Sequence, residues 1–206
     1  MAASTHPPLP MSTLTIHPGW LRITHWLNAV AVVLMVGSGW RIYNAAPFFD
    51  LRFPREITLG GWLGGALQWH FAAMWLLAFN GLVYLSCNVL SGRLVSKFLP
   101  IRASAVWADL RDAVRGRLSH ADLRHYNGVQ RLAYLGVTVD LVLLVLSGLV
   151  LWKSVQFPLL RELLGGYETA RRIHFIAMAG LVGFVGVHLA MVALVPRTLI
   201  TMIRGR

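Results

Sequence analysis

Four histidines lie in or at the edge of long apolar stretches, where an ionisable side chain is costly and is functional by default. They are His25, His70, His174 and His188. Imidazole binds zinc, copper and iron, so these side chains indicate metal or haem chemistry. A single histidine in a membrane helix is more often a hydrogen-bonding residue between helices. Four of them, sorted by depth, are harder to explain as packing.

The spacing of the last two histidines fits one helix with both side chains facing the same way. His174 and His188 are 14 residues apart, which corresponds to about 21 Å along an α-helix. Fourteen steps of about 100° bring the second side chain back to within roughly 40° of the first. Both rings are therefore expected on one stripe of a bundle interior, at two different depths.

Four apolar runs supply the elements that must position these rings. Each approaches the roughly 20 residues that cross a bilayer: 21–43, 63–90, 129–152 and 173–194. Backbone groups in lipid must be satisfied within their own segment, so the runs are predicted to be helices. We therefore predict an all-α membrane protein, with residues 1–206 forming one domain around a bundle of four transmembrane helices.

Composition supports a membrane location. Only 13% of the residues are charged, against about 25% in soluble domains. The formal net charge is +11, which could indicate nucleic-acid binding. However, the arginines sit in loops beside the apolar runs, so we expect contacts with anionic lipid and not with nucleic acid.

The distribution of basic residues predicts the orientation. The connection between the second and third runs and the C-terminal segment are rich in Lys and Arg. The positive-inside rule then places both termini of a multi-pass protein on the cytoplasmic side of a bacterial inner membrane. Residues 1–20 contain no Lys or Arg and are not expected to be a cleaved signal peptide. Residues 103–118 have apolar side chains at spacings of three and four, which predicts a short amphipathic helix on the cytoplasmic surface.

Helix direction sorts the histidines into two pairs. His25 lies early in the first run and His188 late in the fourth, so both are expected near the cytoplasmic side. His70 lies early in the second run and His174 at the start of the fourth, so both are expected near the outer side. Two ligands at each depth suit a haem with two axial histidines, whereas zinc usually takes three or four ligands.

The pattern therefore predicts two haem groups, which would be b-type. Cys87 is the only cysteine and no CxxCH motif is present, so attachment would be non-covalent. Small residues could line the haem faces, although close helix packing explains them equally well. These glycines are Gly37, Gly39, Gly81, Gly136, Gly148, Gly180, Gly183 and Gly186. The sequence shows no internal repeat.

Three other polar residues are candidates for function. Arg22 and Arg131 could pair with haem propionates, and ordinary positive-inside anchoring is an equal alternative. Asp140, in the middle of the third run, could relay protons to a quinone; a hydrogen bond inside the bundle, or burial in the protonated form, is an equal alternative. No P-loop, GxGxxG motif or Ser-His-Asp set is present, so we predict no catalytic residues for hydrolysis or phosphoryl transfer.

The chain resembles a known family over essentially its whole length. RITHWLNAV, residues 22–30, and ARRIHFIAMAGLVGFVGVHLAM, residues 170–191, are similar to the bacterial cytochrome b561 and Ni,Fe-hydrogenase cytochrome b family. ITLGGWLGGALQWHFAAMWLL, HYNGVQRLAYLGV and GGYETARRIHF resemble, more narrowly, the cytochrome b subunits of periplasmic molybdopterin oxidoreductases of the sulfite-oxidase type. The resemblance implies the same four haem ligands.

The resemblance also implies an electron-transfer subunit and not a stand-alone catalyst. It would connect the quinone pool with a periplasmic oxidoreductase, of the molybdopterin type or, alternatively, of the hydrogenase type. Other interpretations are a free-standing superoxide:quinone oxidoreductase, a membrane anchor without redox chemistry, and a ferric or flavin-linked reductase. The sequence contains no flavin-binding signal, which disfavours the last.

Overall fold

The structure is a computed structural model that describes residues 17–93, 103–114 and 128–205. The described residues are helical apart from their connections, and a short 3-10 turn spans Arg55–Ile57. The α-helices are α1 (Gly19–Tyr43), α2 (Leu63–Leu90), α3 (Ala103–Val114), α4 (Gly128–Trp152), α5 (Pro158–Leu163), α6 (Tyr167–Leu194) and α7 (Arg197–Arg204).

Four of these helices, α1, α2, α4 and α6, are long and apolar enough to cross a membrane. Large apolar side chains point outward from all four, including Val33, Phe79, Val142 and Ile176. Lipid solvates such surfaces and water does not. The predicted all-α fold with four transmembrane helices is confirmed.

One boundary differs clearly from the sequence expectation. Helix α6 begins at Tyr167, before the expected position 173. Its first turns carry the charged residues Glu168 and Arg171 and extend past the apolar run, so the apolar run alone did not indicate them. The expected amphipathic helix over 103–118 is α3, which the structure describes from Ala103 to Val114. Residues 115–118 lie outside the described residues.

The long helices pack as two antiparallel pairs, α1 with α2 and α4 with α6. A buried amide joins the first pair: Asn80 Nδ2 donates to the Thr24 carbonyl at 2.7 Å and to Asn28 Oδ1 at 2.6 Å. Aromatic rings link the two pairs, since Trp152 of α4 contacts Phe71 and Trp75 of α2. The interior between the pairs is where the histidines meet.

At the end of the bundle where α1 finishes, the loop after α1 is fastened to α6. The Tyr43 ring stacks on the Phe175 ring, with centroids 4.7 Å apart. Arg171 donates to the Ala46 carbonyl, and its guanidinium lies 4.2 Å from the centre of the Phe48 ring. A cation over an aromatic face is attracted to the ring, so this interaction and the ring packing both bind the loop after α1 to α6.

At the opposite end, the last helix is fastened to the start of α1. Arg22 Nε donates to the Met202 carbonyl at 3.1 Å, and Arg22 also donates to the Ile203 carbonyl. Carbonyls in the last turn of a helix lack helical partners, and a cation there opposes the negative end of the helix dipole. Arg22 is therefore a side-chain cap for α7.

Candidate functional site

The four histidines meet as two pairs, and each pair joins one helix of the first helix pair to α6. The ring centroids of His25 on α1 and His188 on α6 are 6.1 Å apart, with 60° between the ring planes. Those of His70 on α2 and His174 on α6 are 6.5 Å apart, with 65° between the planes. The two pairs lie towards opposite ends of the bundle.

These separations suit one metal ion between each pair of rings. A metal–imidazole nitrogen bond is about 2.0 Å, so two rings bound on opposite sides of one metal have centroids about 6 Å apart. Among the residues that the structure describes, no group of three or more His, Cys, Asp and Glu side chains could hold a metal. Each histidine pair could therefore offer two ligands, a donor set that fits a haem better than a structural zinc site.

A buried serine supports the ring of His70. Ser38 on α1 is fully buried, and its Oγ lies 3.0 Å from His70 Nδ1. The same hydroxyl donates to the Leu34 carbonyl at 2.6 Å. A hydroxyl has one proton, so once it donates to the carbonyl it accepts from the ring. Nδ1 then carries the ring proton, and Nε2 keeps its lone pair for a metal.

A second serine repeats this arrangement at His174. Ser147 on α4 is fully buried, its Oγ lies 3.0 Å from His174 Nδ1, and it donates to the Leu143 carbonyl at 2.6 Å. Metal-binding histidines usually donate their second N–H to a fixed acceptor, which sets the tautomer and the ring orientation. Ser38 and Ser147 supply such acceptors to both rings of one pair.

The residue after each serine is a glycine that lies against the same ring. A Cβ atom added to Gly39 would lie 3.5 Å from His70 Cε1, and one added to Gly148 would lie 3.3 Å from His174 Cε1. A side chain at Gly148 would press on the His174 ring at Cε1, whereas one at Gly39 would make ordinary van der Waals contact with the His70 ring. Of the glycines singled out in the sequence, these two lie against the histidine rings.

The His25–His188 pair has a different environment, built from aromatic rings. Trp26 contacts His25 edge to face with centroids 5.4 Å apart, and Phe184 stacks on His188 with centroids 6.1 Å apart. Within the described ranges, neither histidine has a side-chain hydrogen bond like those of His70 and His174.

The remaining candidate residues lie elsewhere in the bundle. The guanidinium of Arg22 is engaged with α7, as described above, and Arg131 lies in the first turn of α4. Asp140 of α4 faces α6, with Oδ1 3.4 Å from where a Cβ of Gly180 would lie. Its Oδ2 is buried and has no hydrogen-bond partner in the described part of the chain.

Sequence reasoning missed Ser38 and Ser147. The available signal was a Ser-Gly dipeptide late in the first apolar run and again late in the third, in VGSGW and VLSGLV. Serine in a membrane helix usually bonds back to its own carbonyls, so the dipeptide alone does not indicate a partner. Only the packing of α1 on α2 and of α4 on α6 brings a histidine to each serine.

Fold and site together define a four-helix membrane protein with one pair of facing histidines towards each end of its bundle. The chain belongs to the prokaryotic cytochrome b561 family, whose model matches residues 16–205. A family of cytochromes implies haem, and the two histidine pairs fit that group.

A relative from Azospira oryzae is 72% identical over 190 residues, which make up 92% of this chain and 96% of the relative. That relative carries the provisional name protein-methionine-sulfoxide reductase subunit YedZ1. No solved structure matches the chain.

Proposed function

We propose that this chain is a di-haem b-type cytochrome that transfers electrons across the bacterial inner membrane. Electrons would pass between the quinone pool and a periplasmic oxidoreductase. The observation that carries the proposal is the pair of ring separations, 6.1 and 6.5 Å, each of which suits one iron between two imidazoles. Residues 1–206 would form a single membrane domain that holds both haems.

The four histidines would be the axial ligands, His25 with His188 and His70 with His174. Haem supplies a reversible one-electron change at its iron, and the protein tunes it through ligation, hydrogen bonding and burial. The 14-residue spacing on α6 holds the two sites about 21 Å apart along the helix axis. Two fixed sites at different depths give a path across the bilayer that requires no movement of the helices.

Two arginines would neutralise the propionates of the haem at the His25–His188 end. Arg131 lies in the first turn of α4, at the same end of the bundle as His25 and His188. Arg22 uses Nε and a terminal nitrogen on α7 carbonyls. A guanidinium has five N–H groups, so Arg22 retains donors for a carboxylate.

The partner would be the catalytic subunit of a periplasmic molybdopterin oxidoreductase that reduces methionine sulfoxide. The relative's name, together with 72% identity over most of both chains, supports this partner. Electrons would then flow from quinol to the partner, and the chain would be an electron-transfer subunit. Both termini would face the cytoplasm. Helix α2 ends, α4 begins and α7 lies at the end of the bundle with His25, and the sequence between α2 and α4 is rich in Lys and Arg.

A reconstituted electron-transfer assay tests this function. The chain is purified from native membranes with any bound partner, placed in lipid vesicles and reduced with a quinol, while the haem α-band is followed. Methionine sulfoxide should reoxidise the haems only when the copurified molybdopterin subunit is present.

Three outcomes would contradict the proposal. Copurification of a hydrogenase subunit would make the partner assignment wrong. Reaction of the isolated chain with superoxide and quinone would indicate the free-standing superoxide:quinone oxidoreductase. A preparation without reducible haem bands would indicate an anchor with no redox role.

A further inference from the structure

Two parts of the bundle that are distant in sequence hold their histidines in the same way. Ser38–Gly39 on α1 faces His70 on α2, and Ser147–Gly148 on α4 faces His174 on α6. In both cases the serine Oγ is 3.0 Å from Nδ1 and 2.6 Å from the carbonyl four residues earlier. The bundle thus contains a local two-fold repeat of one ligand-holding unit.

The repeat serves only one of the two histidine pairs. Among the residues that the structure describes, no serine or other side chain accepts a hydrogen bond from His25 or His188, whose neighbours are Trp26 and Phe184. An acceptor at Nδ1 makes an imidazole a stronger electron donor to its metal, and aromatic neighbours do not. The two pairs are therefore chemically unequal although their ring separations are similar.

We propose that Ser38 and Ser147 are positioning residues that lower the reduction potential of the haem at the His70–His174 pair. This inference rests on the proposed role of the histidines as axial ligands. The two serines fix the Nδ1–H tautomer, orient both rings and increase their basicity, which favours the oxidised iron. The haem at the His25–His188 pair lacks this support, so the serines set a difference in potential between the two ends of the path.

A purely structural role for the serines is the competing explanation. Serine hydroxyls commonly bond back to the preceding turn of a membrane helix, with no further consequence. Thr138 of α4 offers a matched example, because its Oγ1 donates to the Tyr134 carbonyl at 2.7 Å and its side chain is exposed on the helix. Thr138→Val removes a back-bonded hydroxyl without touching a histidine.

The experiment compares Ser38→Ala, Ser147→Ala and the double variant with Thr138→Val and the unmodified chain. Redox titrations followed at the α-band give the midpoint potential of each haem. One midpoint should rise in each single variant and rise further in the double variant, while the other stays constant. Electron paramagnetic resonance of the oxidised protein should show changed g values for that haem alone. Transfer of haem to a scavenging protein should become about 10- to 100-fold more favourable at that site.

Cysteine variants keep the test decisive if the alanine variants fail to accumulate in the membrane. Cys is close to Ser in size and is a weaker acceptor, so Ser38→Cys and Ser147→Cys should give midpoints between those of serine and alanine. Unchanged midpoints and g values in a two-haem protein would overturn the inference and leave the proposed function intact. Equal shifts of both midpoints, or the same shift in Thr138→Val, would also overturn it. A wild-type chain without haem would instead refute the proposed function.

Discussion

Replacing Gly148 by alanine adds a methyl group beside the ring of His174. The new Cβ would lie 3.3 Å from Cε1, closer than the optimal carbon–carbon separation of about 3.5–4.0 Å. The ring cannot simply turn away, because Ser147 holds Nδ1 at 3.0 Å and Nδ1 itself lies 3.7 Å from the new Cβ. His174 must therefore move by a few tenths of an ångström, and Nε2 moves with Cε1.

The expected loss follows from the energetics of overpacking. A small overlap in a well-packed interior costs about 1–3 kcal/mol, and the lower limit applies to a single methyl group. One kilocalorie per mole is about a fivefold change in an equilibrium constant. Gly148→Ala should therefore weaken haem binding at the His70–His174 pair about fivefold.

Gly39 lies beside the ring of His70 as Gly148 lies beside that of His174, so Gly39→Ala is the matched control. Its Cβ would lie 3.5 Å from His70 Cε1, which is ordinary van der Waals contact, so haem binding should be almost unchanged. Haem retention is measured by difference spectroscopy after incubation with an excess of a haem-scavenging protein. Equal losses in the two variants, or no loss in Gly148→Ala, would contradict the packing described here.

Two further variants test how the bundle is fastened. Arg22→Gln removes the charged donor to the Met202 and Ile203 carbonyls. The free energy of detaching α7 from the bundle should fall by about 1 kcal/mol, and faster hydrogen exchange near the C-terminus would report this. Unchanged exchange there would argue against the cap. Asn80→Leu removes the hydrogen bonds to Thr24 and Asn28; at about 0.6 kcal/mol for each bond in a membrane bundle, it should lower stability by about 1 kcal/mol in detergent unfolding. The exposed-site variant Thr138→Val is its control, and an equal loss in both would contradict a specific role for Asn80.

The sequence was sufficient to predict the membrane helices and the residues that meet between them. Twenty or more apolar residues in a row leave the backbone no alternative to a helix in lipid. Helix direction follows from chain order, and direction alone places His25 beside His188 and His70 beside His174 along the bundle axis.

Features that depend on which helix faces which were not predictable in the same way. The contacts of Ser38 with His70 and of Ser147 with His174 are examples, because VGSGW does not indicate which neighbouring helix its serine contacts. The contact of Arg22 with α7 is another, since the sequence of this eight-residue helix does not indicate which residue of another helix caps it. Helix α5 is a third, because six residues are too few for an apolar period to be recognised.

The number of haems per chain, and the histidines that hold each one, test the central claim most directly. A pyridine haemochrome assay combined with dithionite-reduced minus oxidised spectra should give two b haems per wild-type chain. His70→Ala and His174→Ala should each lose the same haem, and His25→Ala and His188→Ala should each lose the other. If His25→Ala and His70→Ala lost the same haem, or if the wild-type chain bound fewer than two, the account would be wrong.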